Sequence, residues 1–135
     1  MIEVTVFGII QKEGKILLGT RNKEDHAKGK YIAPSGHVAE FETLEQALHR
    51  ETMEEANVKI TNLKQSKVFE YIKPERDRHA IAIVFSADWK EGIPKGGDDL
   101  ADPKFYSIDE VQSLADNGKI PNFIMKIMKE LGWLK

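Results

Sequence analysis

Apolar and polar positions alternate along the first part of the chain, which is the spacing of a half-buried strand. Residues 2–7 alternate in this way, and a second apolar run at 16–21 follows a Lys-Glu-Gly-Lys turn. Because successive side chains of a strand point to opposite faces of a sheet, the two runs predict a β-hairpin. A short strand at 31–33 is expected to stop at Pro34-Ser35-Gly36, where the chain becomes turn-like.

Thr43 marks a change from strand to helix periodicity. Thr43 and Gln46 have the spacing of a capping box, in which each side chain accepts a hydrogen bond from a backbone amide of the other residue. The helix is predicted to run to about Ala56. Asn57 then suits the left-handed position that ends a helix.

The rest of the chain mixes strands and helices without a strict strand–helix alternation. We predict strands at 67–72, 79–89 and 104–106, loops at 74–78 and 90–102, and helices at 107–115 and 121–132. This order favours an α/β or α+β domain with a mixed sheet. Its length suits one domain over residues 1–135.

Three carboxylates lie on the otherwise apolar face of the predicted Thr43–Ala56 helix. Glu51, Glu54 and Glu55 continue the stripe that begins at Leu44. Burying unpaired carboxylates costs several kcal/mol each, and acids near a helix C-terminus oppose the helix dipole. Hard divalent cations take oxygen ligands, so the cluster indicates Mg²⁺ or Mn²⁺ binding. The alternative is a solvated, glutamate-rich helix end.

Composition narrows the function classes. The chain has 20 basic and 22 acidic residues, a net charge of −2 and no cysteine. This balance does not favour a long nucleic acid or a membrane surface as partner, and disulfides and thiolate metal sites are excluded. No apolar run is long enough for a membrane span and no signal peptide is visible, so we expect a cytoplasmic protein.

The segment from Gly36 to Val58 resembles the Nudix box, a pattern of glycine, glutamate and arginine at fixed spacings. The matching positions are Gly36, Glu42, Arg50, Glu51, Glu54, Glu55 and Val58. Four positions depart from the usual pattern: Ser35, Phe41, Thr52 and Asn57. We expect the Thr52 change to be mild, at the edge of the buried helix face. The changes at Ser35 and Phe41 affect the expected loop path and not the carboxylates.

The resemblance implies a fold and a reaction. The expected fold is a mixed β-sheet between α-helices, and the expected reaction is the metal-dependent hydrolysis of a nucleoside diphosphate linked to another group. The metal ligands implied are Glu51, Glu54, Glu55 and the carbonyl of Gly36, with Mg²⁺ or Mn²⁺ as the ion. Either Glu51 or Glu54 is expected to act as general base. Arg50 joins this catalytic set as the residue that pairs with Glu42 or a box glutamate and holds the loop against the helix.

Residues outside the box complete the expected site. Four acids in the predicted loops are candidates for a further metal ligand or general base: Glu75, Glu91, Asp98 and Asp99. Arg21 and Arg78 are the candidate substrate-binding cations. Four aromatic residues are candidates to stack on a base: Tyr31, Phe69, Tyr71 and Phe105.

The sequence leaves the substrate and the assembly open. A Gly-Asp-Asp tail and Pro74 are similar to features of ADP-ribose pyrophosphatases, whereas the short chain and Gly-His-Val loop are similar to enzymes acting on nucleoside triphosphates. The partner expected is therefore a small-molecule nucleotide. The alternatives are a non-catalytic Nudix-like binding module, which usually loses the box acids, and a related isomerase. A homodimer is compatible with the sequence, which does not fix the oligomeric state.

Overall fold

The structure, a computed structural model, describes residues 1–25 and 27–135. Within these residues the chain forms strands, helices and one short 3₁₀ turn at Pro74–Arg76. The strands are β1 (Glu3–Lys12), β2 (Lys15–Arg21), β3 (Tyr31–Ile32), β4 (Ser35–His37), β5 (Lys59–Lys73), β6 (Arg78–Glu91) and β7 (Leu100–Tyr106). The helices are α1 (Leu44–Ala56), α2 (Ile108–Asp116) and α3 (Asn122–Glu130).

The strands form one mixed sheet in the order β3-β2-β1-β6-β5, with β4 paired to β1 and β7 paired to β2. The pairing of β1 with β6 is parallel, and the other pairings are antiparallel. The mixed sheet predicted from the sequence is therefore confirmed. Its long central pair, β1 and β6, lies between the short strand β4 and the edge strand β5.

Helices cover both faces of this sheet. A Cβ built on Gly8 would lie 3.0 Å from Cδ1 of Leu48 in α1, whereas the ring of Phe7 lies 5.9 Å from that of Phe123 in α3. Consecutive strand residues point to opposite faces, so α1 and α3 pack on opposite sides. The predicted arrangement of a sheet between helices is confirmed. Among the described residues, every helix is too short or too polar to span a bilayer.

Local capping defines both ends of α1. The Thr43 hydroxyl accepts from the backbone amide of Gln46 at 3.1 Å, and the Gln46 side chain accepts from the amide of Thr43 at 2.9 Å. Asn57 has φ 59° and ψ 35°, the predicted left-handed conformation. Thr52 was expected at the edge of the buried face, but it is fully buried. It is accommodated there because its hydroxyl donates to the carbonyl of His49 at 3.1 Å.

The largest differences from the predicted strands lie in β4, β5 and β7. β5 begins at Lys59 rather than at residue 67, and irregular pairing with β6 interrupts its apolar alternation. β4 forms where the turn at Pro34 was expected to stop the strand, because the Pro34 carbonyl accepts from the amide of Gly8 at 3.0 Å and joins the segment to β1. β7 begins at Leu100, within the expected loop, because this side chain is buried in the core.

Candidate active site

A cleft of about 400 Å³ crosses the sheet between the start of β4 and the edge strand β5. Its floor consists of side chains of β1 and β6, three of them small and one aromatic: Thr5, Ala80, Ala82 and Phe7. Arg50 and Glu51 of α1 line one end of the cleft. Tyr71 of β5 and Phe123 of α3 line the other end, across β1 and β6.

The end of the cleft at α1, where Arg50 and Glu51 lie, is called the acidic end. Arg50 is its most connected side chain. Its Nε and Nη2 donate to the two carboxylate oxygens of Glu42 at 2.8 and 2.9 Å. Its Nη1 lies 2.7 Å from Glu51 and 3.3 Å from Glu54, and Nη2 also donates to the carbonyl of His37 at 2.9 Å. The expected pairing of Arg50 is therefore present with Glu42 and with box glutamates at once.

This network fixes charge states as well as positions. The hydrogen bonds from Arg50, followed by that from the amide of Ala39, lower the pKa of Glu42 to about 2. The same contacts raise the pKa of Arg50, so both groups are ionised at neutral pH. The loop from β4 to α1 is thereby held against the helix.

Glu51 occupies the space that a side chain at position 36 would need. A Cβ on Gly36 would lie 2.1–2.4 Å from the carboxyl atoms of Glu51. Residue 36 is held in place because β4 pairs with β1 through Val6. Glu51 is only 8% exposed, and this burial raises the pKa of its carboxyl group. The hydrogen bond and the positive charge of Arg50 act in the opposite direction. Glycine is therefore required beside this carboxylate.

Glu55 lies in an excess of negative charge. Its pKa is raised to about 7, by burial first and then by the negative charges of Asp99, Glu51 and Glu54 in that order of influence. Arg21 has the opposite effect on the same carboxyl. Because Asp99 also lines the cleft, it is the member of the four expected acids that joins the carboxylate cluster.

Asp99 reaches the cluster because the preceding loop docks on the end of α1. The amides of Lys95 and Gly97 donate to the carbonyls of Ala56 and Glu55 at 2.9 and 3.2 Å. A Cβ on Gly97 would lie 2.1 Å from the carbonyl oxygen of Glu54, so glycine permits this approach. The sequence signal for this contact is the Gly96-Gly97 pair, of which Gly97 was interpreted only as part of the Gly-Asp-Asp tail.

The other expected acids lie elsewhere among the described residues. Glu91 lies 3.5 Å from Lys59 in an exposed ion pair. Glu75 is exposed in the 3₁₀ turn between β5 and β6. The backbone carbonyl of Asp98 accepts a 3.5 Å bond from the side chain of Asn22, and Asp98 does not line the cleft.

The donor chemistry at the acidic end fits a hard divalent cation. In the part of the chain that the structure describes, no three acidic or histidine side chains are gathered into a complete metal site. Four carboxylates nevertheless influence one another there, against the guanidinium groups of Arg50 and Arg21. This surplus negative charge and the all-oxygen donor set match Mg²⁺ or Mn²⁺.

Both expected substrate-binding cations line the cleft. Arg21 is paired with Asp25 at 2.8 Å. Nη2 of Arg78 lies 2.9 Å from Glu3, whose carboxylate also lies 3.3 Å from Nε2 of His37. Burial acts to raise the pKa of Glu3, but His37 and Arg78 together lower it. Glu3, which was not predicted from the sequence, anchors Arg78 at the cleft.

Of the four candidate aromatic residues, all within the described residues, Tyr71 is the one that lines the cleft. Its ring lies 5.1 Å from that of Phe123 in an edge-to-face contact. Tyr31 packs against Tyr106 and Phe69 is buried, while Phe105 lies near Lys12. Tyr71 and Phe123 therefore form the aromatic end of the cleft.

Comparison with known families decides the assignment. A family model of the NUDIX domain matches residues 1–127. The chain belongs to the Nudix family. The predicted class, a Nudix pyrophosphohydrolase, is confirmed by this match and by the relatives below.

Two relatives illustrate the range of Nudix enzymes similar in sequence. An ADP-ribose pyrophosphatase of Methanocaldococcus jannaschii is 40% identical over 120 residues, which are 87% of this chain and 69% of the relative. A NAD-capped RNA hydrolase NudC of Photorhabdus laumondii is 31% identical over 112 residues, or 82% of this chain and 41% of the relative. The match thus spans about two fifths of the length of the NudC protein.

Solved structures confirm the Nudix fold. A NUDIX hydrolase from Nitrosomonas europaea has a TM-score of 0.83 at 21% identity, covering 98% of this chain and 89% of its own. A bifunctional NMN adenylyltransferase/ADP ribose pyrophosphatase from Francisella tularensis, complexed with AMP and a Mn ion, also has a TM-score of 0.83, at 24% identity. The structural match covers 97% of this chain and 41% of the Francisella tularensis chain. Nudix hydrolases generally use divalent metal ions.

Proposed function

We propose that this Nudix protein hydrolyses the pyrophosphate bond of ADP-ribose-type nucleotides with Mg²⁺ or Mn²⁺. The observation that carries the proposal is a cleft with Glu51, Asp99 and the bracing Arg50 at one end and the Tyr71–Phe123 pair at the other. A nucleoside diphosphate joined to a second group has matching parts, because its pyrophosphate is anionic and its base is aromatic. The similarity to the ADP-ribose pyrophosphatase of M. jannaschii supports this choice over a nucleoside triphosphate.

Four groups of the Nudix box are proposed to hold the metal. These are the carboxylates of Glu51, Glu54 and Glu55 and the carbonyl of Gly36, with Asp99 as a further carboxylate beside them. A bound divalent cation supplies charge neutralisation at the phosphates and lowers the pKa of bound water. The pKa of Glu55, which is raised by burial first and then by the neighbouring carboxylates, supports this role.

Glu54 is proposed as the general base, in preference to Glu51. The Glu54 side chain is 56% exposed and contacts Arg50 at 3.3 Å, whereas Glu51 is buried and held by the same guanidinium at 2.7 Å. A base must be reachable by water, which the exposed side chain and the longer contact of Glu54 permit. Arg50 is then a positioning residue, because its five contacts are all to the protein.

The remaining cleft residues are proposed to bind the substrate. Arg21 and Arg78 line the cleft and can neutralise phosphate oxygens. Tyr71 and Phe123 offer apolar ring surface for a base. A single domain and a cytoplasmic location stay predictions from the sequence, which does not fix the oligomeric state.

A nucleotide panel tests the proposal. Phosphate-ester products should appear from ADP-ribose with Mg²⁺ or Mn²⁺, disappear with a chelator, and fall by at least about 100-fold in Glu54→Gln. Glu45→Gln is a matched control, because Glu45 is an exposed acid in the first turn of the same helix. Activity that survives both chelation and Glu54→Gln would refute the metal-cluster mechanism. Preference for nucleoside triphosphates would refute the substrate assignment alone.

A further inference from the structure

A second groove adjoins the cleft beyond its aromatic end. It has a volume of about 560 Å³, and four residues line both spaces: Ala27, Tyr71, Pro121 and Phe123. The aromatic pair therefore stands between the cleft and the groove. A ligand that extends past Tyr71 would enter the groove directly.

The groove is strongly basic although the whole chain has a net charge of −2. Four cationic residues line it, together with the carboxylate of Glu70: Lys30, Lys73, Arg76 and Lys126. Among the described residues these four cations form no ion pair. The arginines of the cleft differ, since each of them lies within ion-pair distance of a carboxylate. The groove thus has positive charge available for an anionic ligand.

The groove is too far from the acidic end to contact the same pyrophosphate. Gly36 lies in β4 and Tyr71 in β5, and β1 and β6 lie between these strands. Three spacings of neighbouring strands amount to about 14 Å. A pyrophosphate is much shorter than this separation. An anion in the groove must therefore be a different group.

We propose that the groove binds a second phosphate of the substrate, separate from the pyrophosphate that is cleaved. This inference rests on the proposed function, because the acidic end is taken as the place of cleavage. The second phosphate is either a phosphomonoester on the distal part of a small nucleotide or the first phosphodiester of an RNA joined to the nucleotide. Nζ and guanidinium groups bind both through charge-assisted hydrogen bonds. Arg76 also donates to the Tyr71 hydroxyl at 2.7 Å, which places a cation at the junction.

Two matched substrate pairs test the proposal and separate the sources of the phosphate. The first pair is ADP-ribose with and without a 2′-phosphate, and the second is NAD and a short NAD-capped RNA. We expect kcat/KM to be roughly tenfold higher for at least one phosphate-bearing member, and the preference to weaken at high salt because the cations are exposed. A preference in the first pair identifies a phosphomonoester, and one in the second pair a phosphodiester. Equal values in both pairs would overturn the inference.

Charge reversal assigns the preference to the groove. In Lys73→Glu/Lys126→Glu the ratio between pair members should fall to about one. The control, Lys64→Glu/Lys67→Glu, changes two exposed lysines of β5 outside both spaces and should keep the ratio. A ratio that persists in the groove variant would contradict the proposal. Affinities for the same compounds, measured by calorimetry, test the groove independently of hydrolysis. Absence of hydrolysis would count against the proposed function. Equal affinities for the two members of each pair would count against phosphate binding in the groove.

Discussion

The two ends of the cleft are built in opposite ways. At the acidic end Arg50 bridges Glu42, Glu51 and Glu54. Backbone hydrogen bonds also dock the loop before β7 on the end of α1. At the aromatic end Tyr71 belongs to the edge strand β5, and the cations beyond it have no ion-pair partner among the described residues.

This contrast follows from what each end is proposed to do. Bond cleavage requires reacting groups to be held within fractions of an ångström, and a braced network provides that. Binding the distal part of a nucleotide tolerates exposed and less constrained side chains. We infer that the acidic end determines the reaction and that the aromatic end determines which nucleotide is used. The following substitutions test this division.

The largest effect is expected from Gly36→Ala, at the rigid end. The added methyl group would meet the carboxylate of Glu51 at 2.1–2.4 Å, so Glu51 must move. Because displacements near 1 Å can cost 100-fold in rate, kcat should fall about 100-fold. Steady-state kinetics on ADP-ribose, together with a melting curve, would measure this.

Gly8→Ala is the control for this substitution. Its methyl group would lie 3.0 Å from the flexible end of Leu48, away from the cleft. We expect a loss of stability of about 1 kcal/mol with kcat retained. If both alanine variants lost kcat equally, the rate effect at Gly36 would be a general packing effect and not one of carboxylate placement.

Arg50→Lys should have the next largest effect. Lysine keeps the charge but cannot reproduce the two-point contact with Glu42 together with the contacts to Glu51 and the His37 carbonyl. We expect roughly tenfold lower kcat/KM and a higher Mg²⁺ concentration for half-maximal activity, since the residues that position metal ligands affect affinity to this extent. An Mg²⁺ titration of activity measures both. An unchanged titration would show that the bracing of the acidic end has no role in metal binding.

Tyr71→Ala examines the aromatic end, with a smaller expected effect. Loss of a stacking surface should raise KM roughly fivefold and change kcat little, because the acidic end is untouched. Tyr71→Phe retains the ring and should retain KM. A fall in kcat at constant KM would show that Tyr71 affects the reaction step, which contradicts the separate roles of the two ends.

The same contrast explains how much the sequence could predict. The bounds of α1 and the shared face of Glu51, Glu54 and Glu55 follow from local signals, namely a capping box, a left-handed asparagine and helical spacing. The reaction class was predictable because these residues lie within one short segment.

The parts that sequence reasoning missed depend on distant segments. Glu3, His37 and Arg78 come together because β1 pairs with both β4 and β6. Asp99 could not be chosen over Glu91 in advance, since the choice depends on how the loop before β7 docks on the end of α1. The register of strands and the docking of loops are not expressed in local spacing. Most of the aromatic end depends on such long-range pairing.

The smallest effect concerns the stability of the acidic end without metal. Glu55 has a folded-state pKa of about 7, above its ordinary value of 4.5. Between these values the folded chain binds more protons than the unfolded chain, so the free energy of unfolding falls as pH rises through this window. The full penalty is present above pH 7 and is relieved towards pH 4.5.

Glu55→Gln should therefore stabilise the metal-free protein at pH 8 and have little effect near pH 5. We expect the difference between the two pH values to be about 1 kcal/mol, since partial solvent exposure reduces the effect of the pKa shift. Urea denaturation of both proteins in a chelator measures it, with Glu45→Gln as the exposed control. Adding Mg²⁺ should stabilise the wild type more than Glu55→Gln, because the proposed ligand is lost in the variant. Equal effects of the substitution at both pH values would show that burial and the neighbouring carboxylates do not raise the pKa of Glu55 in the folded protein.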